Sequence, residues 1–502
     1  MDVLAMLVPA AYLAVLAVLS LFGAHRLMVL YLYWRHRRDA PRAGVAPALP
    51  AVTVQLPIYN EKAVAERLID AACRLEWPAD RLQILVLDDS TDETIELSRS
   101  AAARHAALGV DIEVPHRADR RGFKAGALEA GMRSATGDFI AIFDADFVPP
   151  PGFLRRTMPH LVSSPDVGMV QTRWGHLNEG LNLLTRLSAL LLDGHFVLEH
   201  TARHRSGRFF NFNGTAGVWR RACIEHAGGW QHDTLVEDLD LSYRAQLAGW
   251  RFVYLKDEVC PAELPADLRA FKTQQHRWAK GTLQAARKLL PRVLRAPVGL
   301  GVKVEAMAHM LANLAYPLVL LLAVLMPPAI LLRRPAGLSE LLVLDLPIFM
   351  LATLSVAVFY ASAENEAHGR WFGKAWRLPL LMALGIGIAV NQTRAVVEGL
   401  LGSDVTFVRT PKMGASPAWQ GPLGYRPAAG WTPIVELALA TYLAGGGWLM
   451  AREGAYGSLP FVGLFAFGFG YVGLGSLLPA PSVRLDRSSD ALDSEPSLSA
   501  AR

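Results

Sequence analysis

Hydrophobic positions follow two regimes along the chain. Residues 4–21 form an uninterrupted apolar stretch that contains Tyr12, long enough to cross a bilayer at about 1.5 Å per residue. From Val52 the pattern changes to short apolar runs separated by amphipathic segments, the alternation of an α/β unit. Residues 52–57 predict a strand that ends at Ile58-Tyr59-Asn60-Glu61, and residues 82–87 a second that ends at Asp88-Asp89-Ser90-Thr91-Asp92. An Ile- and Phe-rich run from Asp138 predicts a third strand, which stops at two carboxylates one residue apart, Asp144 and Asp146. Residues 235–241 read as a helix buried on one side, and 268–290 as an amphipathic helix. Long apolar runs then return at 306–332, where Pro317 and Pro327 predict kinks, and at 341–361, 433–450 and 459–478. The run at 378–390 is only half a span, and its amphipathic continuation to 401 predicts an interfacial or re-entrant element.

The pattern divides the chain into an N-terminal transmembrane anchor (1–34), a cytoplasmic α/β domain (50–265), an amphipathic interfacial helix (266–300) and two transmembrane helices (305–361). An interfacial or re-entrant helix (376–401), a polar loop (402–430), two more transmembrane helices (431–479) and a disordered Ser/Asp-rich tail (480–502) follow. Composition agrees: 52% of residues are hydrophobic and only 19% charged, and the apolar excess sits at the two ends. The net charge of +5 comes with Arg clusters beside apolar spans, which a membrane-flanking role explains better than nucleic-acid binding, so no nucleic-acid partner is expected. Arg35-His36-Arg37-Arg38 follows the first apolar run instead of preceding it, so the run reads as an uncleaved anchor with its carboxyl end in the cytoplasm. The expectation is an integral protein of the cytoplasmic membrane. Three cysteines, Cys73, Cys223 and Cys260, fit neither a zinc site nor a disulfide framework, and suggest a reducing compartment.

The candidate chemistry lies at the strand ends. Two acids buried at the end of a strand are costly unless a cation neutralises them. Magnesium, which takes a few carboxylate oxygens together with substrate phosphates, suits Asp144 and Asp146, although surface loops also carry Asp-x-Asp. Acids at the carboxyl ends of successive parallel strands, Asp88 and Asp89 included, would face the crevice where open α/β sheets bind ligands; a capped turn is the alternative for 88–92. In residues 120–128, glycines and Lys124 suit a diphosphate, or simply begin a surface helix. Neither a Gly-x-x-x-x-Gly-Lys-[Ser/Thr] loop nor a Gly-x-Gly-x-x-Gly fingerprint is present. The aromatic and amide-bearing stretch 209–217 suits a sugar, with core packing as the other reading. Glu237, Asp238 and Asp240 offer a general base, or a solvated helix face. Gln274, Arg277 and Trp278 share one helix face, where the indole would stack on a sugar ring and the guanidinium would meet a phosphate. A basic helix lying on the membrane accounts for the neighbouring lysines equally well.

Taken together, Asp88-Asp89, Asp144-Ala145-Asp146, Glu237-Asp238 and Gln274-x-x-Arg277-Trp278 resemble, in order, the signatures of the processive membrane family 2 glycosyltransferases of the cellulose synthase superfamily. The wording of 171–174, 212–220 and 274–278 is most similar to the cellulose-synthase-like A and C groups, makers of mannan or glucomannan and of β-1,4-glucan. The resemblance implies an α/β GT-A (Rossmann-like) domain inserted between transmembrane helices, and an inverting, metal-dependent hexosyltransferase that uses GDP-mannose or UDP-glucose to extend a β-1,4-linked polysaccharide. By the same resemblance, Pro57, Tyr59, Glu61, Asp88, Asp89, Lys124, Asp144 and Arg277 belong to the nucleotide site, and Asp144 and Asp146 bind Mg2+ or Mn2+. Asp238, beside Glu237, is the base. Trp278, Gln274, Asn213, Gly214 and Thr215 meet the acceptor glycan. Phe407, Thr410 and Lys412 stand where the family has a gating loop, although Arg409 replaces an expected Val and Val236 an expected Thr. The implied partners are a nucleotide sugar, a growing glycan and the bilayer. A non-processive enzyme that glycosylates diacylglycerol or ceramide is the other enzymatic class open at this point, and a transporter or channel with a nucleotide-sensing domain and no chemistry would leave Glu237-Asp238 unexplained.

Overall fold

The computed structural model describes every residue except 1–2, 45–48, 118, 334–341, 370, 403, 408, 411, 413, 415–427, 429 and 479–502. The expected tail and parts of the linker, the polar loop and the gating-like segment therefore lie outside the described residues. The α/β region is built on one seven-stranded sheet: β1 (Val52–Ile58), β2 (Leu82–Asp88), β3 (Asp111–Glu113), β4 (Phe139–Ile142), β5 (Val167–His176), β6 (Gly217–Arg220) and β7 (Arg251–Ala262). Their order is β3-β2-β1-β4-β6-β5-β7, and all neighbours are parallel except the two pairs made by β6. Helices cover both faces, which is why the central strands read as continuous apolar runs. In β2 all seven positions are buried. Ile84 and Val86 enter one core layer while Leu85 and Leu87 enter the other, and Phe139 and Ala141 of β4 are parted from Ile140 and Ile142 in the same way.

The chain winds outward from β1 to β3 and then returns to place β4 on the other side of β1. That reversal opens a crevice at the carboxyl ends of β1 and β4, where doubly wound sheets bind ligands. The expected GT-A-like mixed sheet is therefore present, and its ligand-binding edge carries Tyr59, Asp89 and Asp144.

Long helices flank this domain. Among the described residues, four are long and apolar enough to cross a membrane: Met6–His36, Leu300–Arg333, Thr432–Arg452 and Tyr456–Leu477. The pair Arg377–Gly387 and Ala389–Leu401, bent by 46°, would make a fifth if counted as one span. The apolar run at 341–361 lies in the 27-residue helix Leu342–His368, which packs along the first helix. Near Pro317, the Leu300–Arg333 segment is interrupted by a tight turn at Ala312–Leu314, as a residue without an N–H requires.

Helix Leu268–Arg295 joins the two halves. Asp267 caps it, its Oδ1 accepting from Arg269 N (2.9 Å) and Ala270 N (3.1 Å). Leu268 and Phe271 pack among membrane-helix residues such as Tyr33, Leu381 and Val472. Farther along, Ala286, Leu289 and Val293 pack on Val236, Leu239 and Tyr243 of the α/β domain. The helix runs past the expected end at 290, through Pro291, to Arg295.

Candidate active site

Pro57 and Tyr59 at the end of β1, Asp89 after β2, Asp144 and Asp146 after β4, and Lys124 from the first turn of helix Phe123–Ser134 line one cavity with Glu61 and Arg277. Asp89 is held on both carboxylate oxygens by Arg117, with Nε 2.8 Å from Oδ1. Arg120 lies over the Tyr59 ring, 3.3 Å from its centroid. Asp88 is placed otherwise. It is fully buried, its Oδ1 accepts from Ser90 N at 2.8 Å, and it is not on the cavity wall. Its role is to shape the turn that presents Asp89, because the side chain of the last strand residue points into the sheet packing. Among the described residues, the non-glycine positions with positive φ are Asn60 (54°), Phe123 (49°) and Ala216 (54°), and all three flank this cleft; such backbone persists where the surroundings over-determine it.

Each strand-end carboxylate already faces a cation. Lys124 Nζ lies 2.5 Å from Asp144 Oδ1 and donates to Gly214 O at 2.9 Å. Burial pushes the Lys124 pKa down, but Asp144 and Glu237 more than reverse this and hold it above the usual lysine value. Lys412 Nζ lies 2.6 Å from Asp146 Oδ2. Burial raises the Glu61 carboxyl to about 8, with partial relief from Arg409 and Lys412. Among the described residues no group of three or more His, Cys, Asp or Glu could hold a metal ion. Asp144 and Asp146 therefore offer an all-oxygen, incomplete set, the kind that magnesium or manganese completes with phosphate and water.

A second cavity continues from the first across Lys124, Asp144, Asp146 and Arg277, and adds Glu237, Asp238, Asn213, Gly214, Gln274, Trp174 and Trp278. Glu237 and Asp238 open helix Glu237–Leu247. A helix amino terminus favours a carboxylate, and Asp238 Oδ1 accepts from Leu239 N at 2.7 Å. Burial, reinforced by Glu237, nevertheless wins and lifts the Asp238 carboxyl to about 7. Gly214 passes between the charged groups at φ +81°, where an added Cβ would lie 3.1 Å from Asp238 Oδ2 and 3.2 Å from Lys124 Nζ. Thr215 is buried and absent from the wall; its Oγ1 accepts from Asp144 N at 2.8 Å, so it holds the carboxylate loop. The Trp278 and Trp174 rings are 6.5 Å apart.

Asn213 is fixed from behind. An amide nitrogen can only donate, so Asn213 Nδ2 gives its hydrogen to His195 Nε2 (3.0 Å), and the other ring nitrogen donates to Glu199 Oε2 (3.0 Å). His200 Nε2 donates to Asn213 Oδ1. Arg203 continues the chain from Glu199 (3.3 Å) to Glu305 (2.8 Å), and Glu305 meets His25 of the first membrane helix at 3.1 Å. His195, Glu199 and His200 lie in a π-helical turn, Gly194–His200. Nothing in the spacing of 194–203 announced this network.

Phe407, Arg409, Thr410 and Lys412 border the first cavity. The Phe407 ring lies 4.3 Å from the Arg277 guanidinium carbon and 6.1 Å from the Phe123 ring, and Thr410 lines the same cavity as Lys412.

A sheet with this order and a cleft lined by strand-end carboxylates define a GT-A-like nucleotide-sugar fold, and residues 50–281 match the family model described as Glycosyltransferase like family 2. The chain thus carries a glycosyltransferase family 2 domain, and the assignment drawn from the motifs is borne out there. Glucomannan 4-beta-mannosyltransferase 1 of Oryza sativa subsp. japonica is 47% identical over 261 residues, 51% of this chain and 50% of that protein. Glucomannan 4-beta-mannosyltransferase 7 of Arabidopsis thaliana is 40% identical over 348 residues, 66% of this chain and 62% of that protein. The chain spans about half the length of most curated relatives it matches. Among solved structures, mannosyltransferase PcManGT from Pyrobaculum calidifontis in complex with GDP-Man and Mn2+ aligns with a TM-score of 0.47 at 23% identity, over 77% of this chain and 99% of that one.

Proposed function

We propose that this protein is an inverting hexosyltransferase that transfers mannose from GDP-mannose to a growing β-1,4-linked glycan, and threads the product through its membrane helices with the catalytic domain facing the cytoplasm. The observation that carries the reading is the pair of cavities joined at Lys124, Asp144, Asp146 and Arg277, one suited to a nucleotide and the other holding Asp238 and Trp278. The relatives' names favour mannose over glucose as the sugar.

Tyr59 and Arg120 clasp the nucleobase, Asp89 closes the same end, and Lys124 and Arg277 meet the diphosphate. Asp144 and Asp146 fit a divalent ion, since a cationic ammonium already sits on Asp146 at 2.6 Å. When bound, such an ion supplies electrostatic stabilisation of the leaving diphosphate. Trp278 stacks under the terminal sugar of the acceptor. Asp238 takes the proton from that sugar's hydroxyl as its oxygen forms the new bond to the anomeric carbon. The bond from that carbon to the diphosphate breaks on the opposite face, leaving a β-linkage. Arg277 stabilises the charge that develops on the departing nucleoside diphosphate.

The test is product analysis from detergent-purified protein given labelled GDP-mannose, UDP-glucose or both, with magnesium or manganese and no added lipid. High-molecular-weight product digested by β-mannanase is the expected result. Product extracted into organic solvent would transfer the function to glycolipid synthesis, and a glucan digested only by cellulase would overturn the sugar.

A further inference from the structure

Two arginines of one short stretch stand beside the first cavity, and the fold uses them differently. Arg117 is committed within the protein. It holds both carboxylate oxygens of Asp89, and donates from Nη1 to Arg121 O at 3.2 Å and from Nη2 to Phe123 O at 3.1 Å. Arg120 lines the cavity itself. Its Nε is buried without an acceptor, and among the described residues its side chain forms no ion pair.

Aromatic rings hold Arg120 instead. Its guanidinium carbon lies 3.3 Å from the centroid of the Tyr59 ring, 4.9 Å from that of Phe123 and 5.7 Å from that of Phe407. Such contacts occupy the flat face of a guanidinium and leave the N–H groups, which lie in its plane, open to a ligand. Burial holds the Arg120 pKa below the ordinary arginine value, and the charges of Tyr59 and Asp89 oppose it. A partly desolvated cation with free donors gains from a ligand that brings acceptors into the same plane.

The surroundings tell which part of a nucleotide that is. Arg277 and Lys124 stand in the field of Asp144, Glu237 and Asp238, at the end of the cavity proposed for the diphosphate. The carboxylate whose field reaches Arg120 is Asp89, on the other side of the cavity. Ile58, Leu87 and Ala127 add apolar wall to the same cavity, which suits a flat heterocycle better than a phosphate. Guanine carries two adjacent acceptors, O6 and N7, that an arginine fork meets with two bonds. Adenine puts an amino donor in place of O6, and the carbonyl oxygens of uracil flank an N–H, so either base offers the fork a single acceptor.

We infer that Arg120 selects the base of the donor: its guanidinium donates to O6 and N7 of guanine, and so favours a guanosine over a uridine diphosphate sugar. The inference rests on the first cavity being the nucleotide site, and it adds a contact by which this chain tells one base from another.

The test is equilibrium binding of three nucleotides to the detergent-purified full chain with manganese present: GDP, the GDP analogue with C–H in place of N7, and UDP. The native protein should bind the analogue several-fold, and UDP about tenfold or more, less tightly than GDP. In Arg120→Met both preferences should collapse toward one, with UDP affinity the least changed. Arg120→Lys keeps a charge over Tyr59 and gives up the planar fork; it should lose most of both preferences as well, and it decides the matter if Arg120→Met folds poorly. The exposed neighbour Arg121 supplies the control, and Arg121→Gln should keep both preferences. The inference is overturned, with the GDP-mannose reading left standing, if the preferences survive in the Arg120 variants, if Arg121→Gln abolishes them equally, or if the native protein binds GDP and the analogue alike. Native binding that favours UDP over GDP overturns the inference and that reading together.

Discussion

Replacing Asp238 by Asn removes the proposed base while changing little else. The amide keeps an Oδ1 that can accept from Leu239 N, now 2.7 Å away, so the start of helix Glu237–Leu247 is preserved. It is also neutral, whereas the native carboxylate is disfavoured enough by burial and Glu237 to titrate near about 7. The substitution therefore costs no buried charge its partner. A positioned general base contributes roughly 10²–10⁴ in rate, about 3–5 kcal/mol of barrier, and Asp238→Asn should lower turnover by that factor. Asp238 lines the second cavity and not the first, where the nucleotide is proposed to bind, so GDP affinity, measured by calorimetry with the divalent ion present, should stay within about twofold. The sign of the pH effect follows from the raised pKa: below about 7 the carboxyl holds its proton and cannot accept another, so native turnover should rise with pH through that value. Loss of GDP binding together with turnover, or a native rate independent of pH between about 5.5 and 8.5, would refute Asp238 as the base.

Other expectations test the neighbouring contacts. Lys412→Met removes the ammonium 2.6 Å from Asp146 Oδ2 and should lower, several-fold, the manganese concentration needed for half-maximal GDP binding; an unchanged value in an equilibrium titration would mean that loop and metal do not compete. Gly214→Ala places a methyl 3.1 Å from Asp238 Oδ2 at φ +81°, and strain of about 1–3 kcal/mol should appear as a lower unfolding midpoint together with a turnover loss of tenfold or more. Trp278→Ala should raise the KM for an added oligosaccharide about tenfold, in line with ~1.5 kcal/mol of lost stacking, while Trp278→Phe should recover most of it. GDP affinity is the control in both Trp278 variants.

How much of this was legible in the sequence depends on how far each signal lay from its partner. Strands β1, β2 and β4 could be read because both of their faces are buried, leaving short runs dominated by apolar residues that stop at polar turns, although β1 carries Thr53 and Gln55 and β2 Gln83 among them. Strands β5 and β7 hid themselves, since β5 buries Gln171 and Thr172 and β7 carries Lys256, Asp257 and Glu258 in its middle. Gln171 is tolerated in the core because its Nε2 donates to Thr215 O and Ala216 O at 3.1 Å and its Oε1 accepts from Asn213 N at 3.0 Å. These partners lie more than forty residues away, beyond any local pattern.

The site divides along the same line. Asp144, Asp146 and Lys124 stand at strand and helix ends that periodicity locates. Asp88 was misplaced because a strand-end pair of acids does not reveal which of the two faces outward. Arg117 and Arg120 were missed because their partners, Asp89 and Tyr59, follow strands β2 and β1 far earlier in the chain. The most distant case is Asn213, whose amide is oriented through His195, Glu199, Arg203 and Glu305 as far as His25. Arg203 and Glu305 are buried and His195, Glu199 and His25 about a quarter exposed, so each alone is a polar side chain largely withdrawn from water that must find a partner. Only the closed fold, in which the first membrane helix packs against the π-helical turn, supplies all the partners at once. The orientation of a cavity-lining amide is in this way fixed by a candidate membrane helix nearly two hundred residues earlier in the chain.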